Sequence, residues 1–527
     1  MANVSFLRGA MVLTIAGIVV KILGGINRIL LSRLLGGEGI GLYQMAYPVY
    51  ILLLSIVGAG IPIAVSIMVA EQAARGNFTG TRRILHVTLS VMFVVAILCG
   101  IGMVVGARVL VDTGLVSDPR AYLPLAVLAP ALSLSILTCC FRGYFQGLQL
   151  MTPTAVSQMI DQFVRVCVML TLAWLLLPRG LVAAAAGGTF GAVPGAAAGL
   201  AAIVWLYVRH VRQGAEADRG VFAKLPAWPV IKRLILLAVP VAAANMLLPA
   251  VASIDLFIVP RRLMDIGYTS HEATTFFGYL SGMANGLVQL PAILTMALAT
   301  SLVPAVSAAW TSGRSDIVLA RTHTAMRIAC VITVPASLGL AVLAVPISRL
   351  LYATPAAGPS ICVLGLSVFL IGVQQVTSGL LQGLGRTAIP LYNMALAAVI
   401  KIFLSWHLTA IPGLGEVGAA WATNADLAVA AALNLYFARR YCQYRMQWFY
   451  IGKLFLAGAA MAGTAWLTHE GLRALMPDAL ATITAMIAAG LIYIICLFAF
   501  RALSSEDVRK LPFIGRRLYP WVKKLEL

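Results

Sequence analysis

The chain is 527 residues long, 61% hydrophobic and only 11% charged, with a formal net charge of +20 and a mean hydropathy of +0.95. So little charge cannot cover a water-soluble domain of this size, which excludes a soluble enzyme and leaves a polytopic membrane protein. The apolar runs are about 20 residues long, enough for a helix to cross a ~30 Å hydrocarbon core, rather than alternating ten-residue strands, so the expected fold is all-α with about 14 transmembrane helices.

The first span, 8–34, follows a single basic residue, Arg8, and continues past Lys21 without a small-residue cleavage site, so it is expected to be retained rather than removed as a signal peptide. Lys21 and Arg28 lie two helical turns apart on nearly one face. A diphosphate needs such cations, arginine as a planar bidentate donor and lysine as a mobile point charge; the competing reading is that one of them snorkels to an interface. Arg33 reads as a loop-edge residue. Spans 2 to 4 follow at 42–72, 83–107 and 122–147. Span 5, 155–177, carries Gln158, Asp161, Gln162 and Arg165 as one polar stripe, with Asp161 and Arg165 one turn apart. Either they form an ion pair that makes insertion tolerable, or Arg165 is released from that pair to a phosphate.

Span 6, 182–208, completes a first lobe at 1–208, and a polar cytoplasmic linker, 209–229, leads to a second at 230–440. Span 7, 230–258, holds Asn245, Pro249 and Asp255; an isolated carboxylate at that depth is a candidate for Na⁺ or H⁺ coupling. Spans 8 and 9 are 274–300 and 317–343, and span 10, 347–384, is interrupted near Pro355–Pro359. Span 11, 388–410, carries Lys401, flanked one turn away by Ala397 and Ser405, which makes it a candidate for binding an anion. Span 12, 416–440, holds Asp426 beside Asn424, a second coupling candidate, as Asp161 is a third. Spans 13 and 14, 452–470 and 478–500, lie in a segment 441–500 outside the two lobes. A tail, 501–527, has seven basic against three acidic residues interleaved with Phe513, Tyr519 and Trp521, and is expected to lie on the anionic inner leaflet.

Seven ionisable groups (Lys21, Arg28, Asp161, Arg165, Asp255, Lys401 and Asp426) thus fall at membrane depth. Each costs at least ~2.5–3.5 kcal/mol there, so such groups face a protein interior or a watery cavity. Four are cations, which suits an anionic passenger. Of the 38 basic residues, 26 fall on one side of this arrangement and eight on the other, which places both termini in the cytoplasm and makes the high charge a topology signal rather than a nucleic-acid surface. The eight cysteines form no CxxC pair and read as small apolar packing residues.

The two lobes repeat one another. Phe145-Gln146-Gly147-Leu148 recurs as Leu381-Gln382-Gly383-Leu384, 236 residues later, and Arg165 matches Lys401 at the same offset. Pro62 and Ser66 of span 2 are paired with Pro304 and Ser307 after span 8. An even number of spans per copy makes the repeat parallel, with its pseudo-two-fold along the membrane normal.

The opening segment from Lys21 through Asn27-Arg28 and Arg33 to Gly36-Gly37-Glu38-Gly39 and Tyr43-Gln44 resembles the polysaccharide exporters related to stage V sporulation protein B. These stand with the MurJ-type lipid II flippases in the multidrug/oligosaccharidyl-lipid/polysaccharide exporter superfamily. The Gln-Gly-Leu helix ends and the fourteen spans fit the same group. The resemblance implies two lobes around a cavity that opens alternately to each side, taking in a pyrophosphate-sugar head group while a polyprenyl tail stays in lipid near spans 13 and 14. It also implies a substrate-binding role for Lys21, Asn27, Arg28, Arg165 and Lys401. MurJ-type relatives carry arginines in helices 1, 2 and 8; here Lys21 and Asn27 stand where helix 1 arginines are expected, and spans 2 and 8 lack them.

The resulting expectation is a monomeric flippase of the inner membrane, without a cofactor, acting on a lipid-linked oligosaccharide diphosphate, lipid II or a related polysaccharide unit, among membrane lipids. The alternatives are a cation-coupled multidrug exporter, which would favour an acidic cavity, and a membrane glycosyltransferase or polymerase. The latter would need clustered acids at helix ends, whereas Glu38, Asp112, Asp118, Asp265, Glu272, Glu416 and Asp478 are scattered through short loops.

Overall fold

In the computed structural model, residues 2–213 and 225–500 are described; the tail expectation and most of the linker lie outside them. The described chain is helical, with no strand, as the absence of backbone partners in lipid requires. It divides into two compact units, Met1–Gly282 and Met283–Leu527.

The first unit opens with α1, Ala2–Gly58, which is two spans joined at Gly36, where φ is 68°. Only glycine takes that turn cheaply, so the helix changes direction there without losing its ends to solvent. The second span, expected as one run from 42 to 72, is broken between α1 and α2, Ile61–Ala74. Pro62 has no N–H to continue the helix, and Gly60 lets the Ala238 carbonyl approach within what would be a Cβ radius. Then come α3 (Phe78–Asp112), α4 (Tyr122–Ala126), α5 (Ala129–Gly147), α6 (Met151–Leu176), α7 (Leu181–Phe190) and α8 (Ala192–Arg212). The unit ends with α9, Ala227–Asp265, which carries Pro240, Pro249 and Pro260, and α10, Ser270–Phe277. Packing thus places the span expected at 230–258 with the first unit, where α9 lies against α1 and α2.

A π-helical segment, Gly278–Ala284, links α10 to the second unit. Beyond it run α11 (Asn285–Thr311), α12 (Ser315–Val342), α13 (Ala344–Tyr352), α14 (Gly358–Gly365), α15 (Ser367–Gly383), α16 (Ala388–Leu408), α17 (Glu416–Cys442), α18 (Trp448–Leu472) and α19 (Asp478–Ala499). The expected interruption of span 10 falls between α13 and α14: Ala353 is left-handed, Ser348 Oγ donates to the Thr354 carbonyl, and Pro359 opens the next helix. Among the described residues, eleven stretches are long and apolar enough to cross a membrane, the 60-residue Ile15–Ala74 counting once. Fourteen spans are consistent with this, since α9 and α17 are membrane-length helices outside that count.

Helix packing shows the repeat and corrects its register. A Cβ on Gly143 or Gly147 would strike the Pro62 and Ser66 carbonyls of α2, and one on Gly379 or Gly383 would strike the Ala299 and Val303 carbonyls of α11. Pro62 and Ser66 therefore correspond to Ala299 and Val303, not to Pro304 and Ser307. Small apolar and proline residues recur too often in such helices to fix a register, whereas backbone contact at glycine does.

The closest approach in the first unit is a seam of glycines. Gly41 meets the Thr274 carbonyl and Gly278 meets the Gly37 carbonyl, whereas Gly37 faces the Tyr279 ring and Gly282 the Ile40 side chain. Beside the seam, Arg120 NH1 donates to Glu38 Oε1 at 2.5 Å, and Arg120 NH2 and Nε reach Asp118 at 2.6 and 3.0 Å. Thr274 Oγ1 donates to Asp118 at 2.7 Å, and His271 Nδ1 lies 2.7 Å from Glu38 Oε1. The acids that read as scattered therefore meet, at least Glu38 and Asp118, around one arginine. Burial works against ionising Asp118, but the Arg120 side chain, Thr274 and the Arg120 amide hold its carboxyl below its ordinary value.

Candidate functional site

The polar stripe of α6 is built as its spacing requires. Arg165 NH2 donates to Asp161 Oδ1 at 2.9 Å and Arg165 Nε to the same oxygen at 3.3 Å. The second oxygen, Oδ2, faces Arg142 of α5, one of the 26 basic residues on the side of the termini, whose NH2 lies 3.8 Å away. Arg142 NH2 also donates to Ser157 Oγ at 3.4 Å, and Ser157 Oγ to the Gly199 carbonyl at 3.0 Å. Arg142 stands five residues before the end of α5, close enough to a loop to read as one of its charges; its side chain instead turns towards α6.

Helix α8 makes room for this group. A Cβ at Gly195 would collide with Arg165 Cβ and the Asp161 carbonyl, and one at Gly199 with Asp161 Cβ. The three charged side chains are 10–19% exposed. Two guanidiniums and one carboxylate leave a net positive charge at membrane depth.

Tyrosines of the second limb of α1 border this cluster. The rings of Tyr43 and Tyr47 stack at 5.3 Å, those of Tyr47 and Tyr50 approach to 5.8 Å, and Tyr50 OH shares a 3.0 Å hydrogen bond with Ser135 Oγ. Arg165 lies in the neighbourhood of Tyr43, Tyr47 and Tyr50, and Arg28 in that of Tyr43. Arg28 and Arg165, 137 positions apart in sequence, are thus brought to one neighbourhood.

The other expected residues are placed as follows. Lys21 is exposed and Arg28 half-buried on the first limb of α1. Asn27 is buried, its amide turned to Met169 Sδ of α6 at 2.9 Å. Asp255 is half-buried in α9. In the second unit Lys401 is buried on the face of α16 that carries Asn393, Ala397 and Ser405, and Asp426 is buried in α17. Asn424 donates to the Val363 carbonyl at 2.8 Å.

In the second unit α15, α16 and α17 repeat the α5–α6–α8 arrangement, with a neutral tie between the helices. Asn393 Nδ2 donates to Asn434 Oδ1 at 2.8 Å, and Asn434 Nδ2 to Ser378 Oγ at 2.9 Å. Ser378 and Asn393 stand 236 residues beyond Arg142 and Ser157, so the second copy keeps the interhelical tie and drops the arginine.

With this geometry in place, the chain compares with known proteins as follows. The family described as polysaccharide biosynthesis protein matches residues 6–310, and the family described as MatE matches residues 281–407. Stage V sporulation protein B of Bacillus subtilis (strain 168) is 28% identical over 531 residues, covering 98% of this chain and 99% of that protein. Lipid II flippase MurJ of the same organism is 27% identical over 423 residues, 76% of each chain. Among solved structures, lipid II flippase MurJ in an inward closed conformation superimposes with a TM-score of 0.68 at 15% identity, over 93% of this chain and 98% of the other. That likeness establishes the fold; it is a multi-pass helical one.

Proposed function

We propose a function on the premise that this chain belongs to the polysaccharide biosynthesis protein family: it is a flippase that carries an undecaprenyl-pyrophosphate-linked precursor, lipid II or a related polysaccharide unit, across the cytoplasmic membrane by alternating access. The observation that carries this reading is the surplus of positive charge kept at membrane depth, two arginines on one carboxylate in the Arg142–Asp161–Arg165 cluster. An anionic head group offsets the cost of holding that charge out of water; a cationic drug would add to it.

In this mechanism Lys21, Arg28 and Arg165 of a lobe of residues 1–208 and Lys401 of a lobe of residues 230–440 are the cations that serve the head group in the transport chamber. Arginine holds the phosphoryl oxygens bidentately and lysine supplies a mobile charge. The tyrosines beside Arg165 offer flat faces and hydroxyls to sugar. The chamber opens to each side in turn, and a cation, Na⁺ or H⁺, taken up at Asp161, Asp255 or Asp426 resets it. No bond in the passenger is made or broken, so the protein is a transporter and not an enzyme.

Depletion in a living cell, followed by analysis of lipid-linked intermediates, tests the proposal. Undecaprenyl-pyrophosphate-linked glycan is expected to accumulate on the cytoplasmic leaflet. The MatE match over 281–407 favours a second reading, a cation-coupled multidrug exporter. Unchanged lipid intermediates together with lost drug resistance would establish that reading instead.

A further inference from the structure

We propose that Asp161 is a built-in substitute for the passenger's phosphate: in the empty carrier its carboxylate occupies the two guanidiniums, Arg142 and Arg165, that a diphosphate takes over on binding. The inference rests on the diphosphate reading above and assigns it a seat and a release device.

The geometry is that of a diphosphate clamp. Two arginines from neighbouring helices approach different oxygens of one anion, Arg165 on Oδ1 at 2.9 and 3.3 Å and Arg142 on Oδ2 at 3.8 Å. Arginine forks match paired oxygens of a phosphate as they match a carboxylate. The carboxylate satisfies the clamp only in part. One negative charge faces two positive ones, the Arg142 contact is long, and Arg142 Nε is buried with no hydrogen-bond partner among the described residues. A diphosphate brings more charge and more acceptor oxygens, so it outcompetes Asp161 without leaving either guanidinium bare at any stage. That matters because an uncompensated buried charge is strongly destabilising.

Helix α8 packs directly on the backbone beside the clamp, where Gly195 and Gly199 bring it against Asp161 and Arg165. A position sense is also built in. Met151 opens α6, so Asp161 and Arg165 lie about 15 and 21 Å along it at 1.5 Å per residue. Arg142 approaches from the same end of α5. The second unit has Ser378, Ala397 and Lys401 at the matching positions. The carboxylate of Asp161 is therefore not repeated at its matching position in the second unit.

When the diphosphate departs, Asp161 recloses on the arginines. The pair thus sets affinity low enough for release, and Asp161 is a specificity-determining residue rather than a structural tie.

The test is binding of inorganic pyrophosphate and of undecaprenyl pyrophosphate to the full-length chain in lipid nanodiscs. Asp161→Asn keeps the size of the side chain and removes its charge; it is expected to tighten both ligands at least tenfold and to slow transport through slower release. Arg142→Gln is expected to weaken both at least tenfold, whereas Lys401→Gln weakens them without abolishing the gain from Asp161→Asn. Asp161→Ser serves if the asparagine variant does not accumulate. Wild-type protein that binds pyrophosphate, with Asp161 variants no tighter, overturns the substitute-anion role and leaves the flippase reading intact. Wild-type protein that ignores both diphosphates and takes up tetraphenylphosphonium removes the flippase reading, and the inference with it.

Discussion

At the scale of single residues, buried charge dictates the outcome of mutation. Removing the counter-charge of a buried ion costs about 3–5 kcal/mol. Asp161→Ala, which bares both Arg142 and Arg165, is therefore expected to lower the melting temperature in detergent more than Arg165→Ala, which leaves Asp161 its contact with Arg142. An Asp161→Ala/Arg165→Ala double variant as unstable as the sum of the singles would show that the pair is uncoupled. Neutralising Lys21, Arg28 or Lys401 is expected to abolish complementation while membrane expression persists. Asp118 gives a pH dependence of known sign. Its folded carboxyl titrates below its ordinary value, so its stabilising effect is complete above that value and fades as acid protonates the folded group. The melting temperature is expected to fall as pH drops below about 4, where unperturbed aspartate titrates, and Asp118→Asn to flatten that slope. An identical slope in Asp118→Asn would assign the acid sensitivity elsewhere.

Helices behave here as units whose contact faces are set by small residues. On α8, Gly195→Ala and Gly199→Ala are expected to push α8 away from α6 and loosen the Asp161–Arg165 contact. Faster hydrogen exchange over Met151–Leu176 in these variants, with the α3–α5 contact unaffected, would locate the damage; protection equal to wild type would show that the helices adjust freely. The broken helices follow the same logic. The interruption between α13 and α14 is legible in the sequence because Pro355 and Pro359 announce it, as Gly58, Gly60 and Pro62 do for α1 and α2 once both glycines are weighed. The turn at Gly36 is less legible: one glycine among several (Gly37, Gly39 and Gly41 follow) carries the positive φ, and no local rule selects it.

For the molecule as a whole, fourteen spans with both termini on one side predict that reporter fusions at Gly76 and Gly180 give opposite signals, cytoplasmic for the first and external for the second. Matching signals would overturn the topology. Hydropathy was enough to find the spans, because each must satisfy its own backbone in lipid. It could also find the charges at Lys21, Arg28, Asp161, Arg165, Asp255, Lys401 and Asp426, since each interrupts an apolar run. Partnerships between helices were not legible. Arg142 lies near a helix end and so reads as topology, although its neighbour is Asp161, 19 residues later in another helix. Glu38, Asp118, Arg120, His271 and Thr274 form one web from three distant segments, each unremarkable alone. Pairing of Pro62 with Pro304 failed for a related reason: composition repeats along every membrane helix, and only contact fixes which turn faces which.

The glycine seam has a consequence for genetic suppression. Where the neighbour is a side chain, a second mutation can shorten it; where it is a carbonyl, every residue presents the same atom. Gly37→Ala meets the Tyr279 ring and is expected to be rescued by Tyr279→Leu, and Gly282→Ala, which meets Ile40, by Ile40→Ala. Gly41→Ala meets the Thr274 carbonyl, and Gly278→Ala the Gly37 carbonyl. A selection for revertants of these two should return the original glycine, or changes that move a whole helix, and no substitution at Thr274 or Gly37. The seam thus divides into correctable and uncorrectable positions, and the division can be read from a revertant spectrum without any measurement on purified protein.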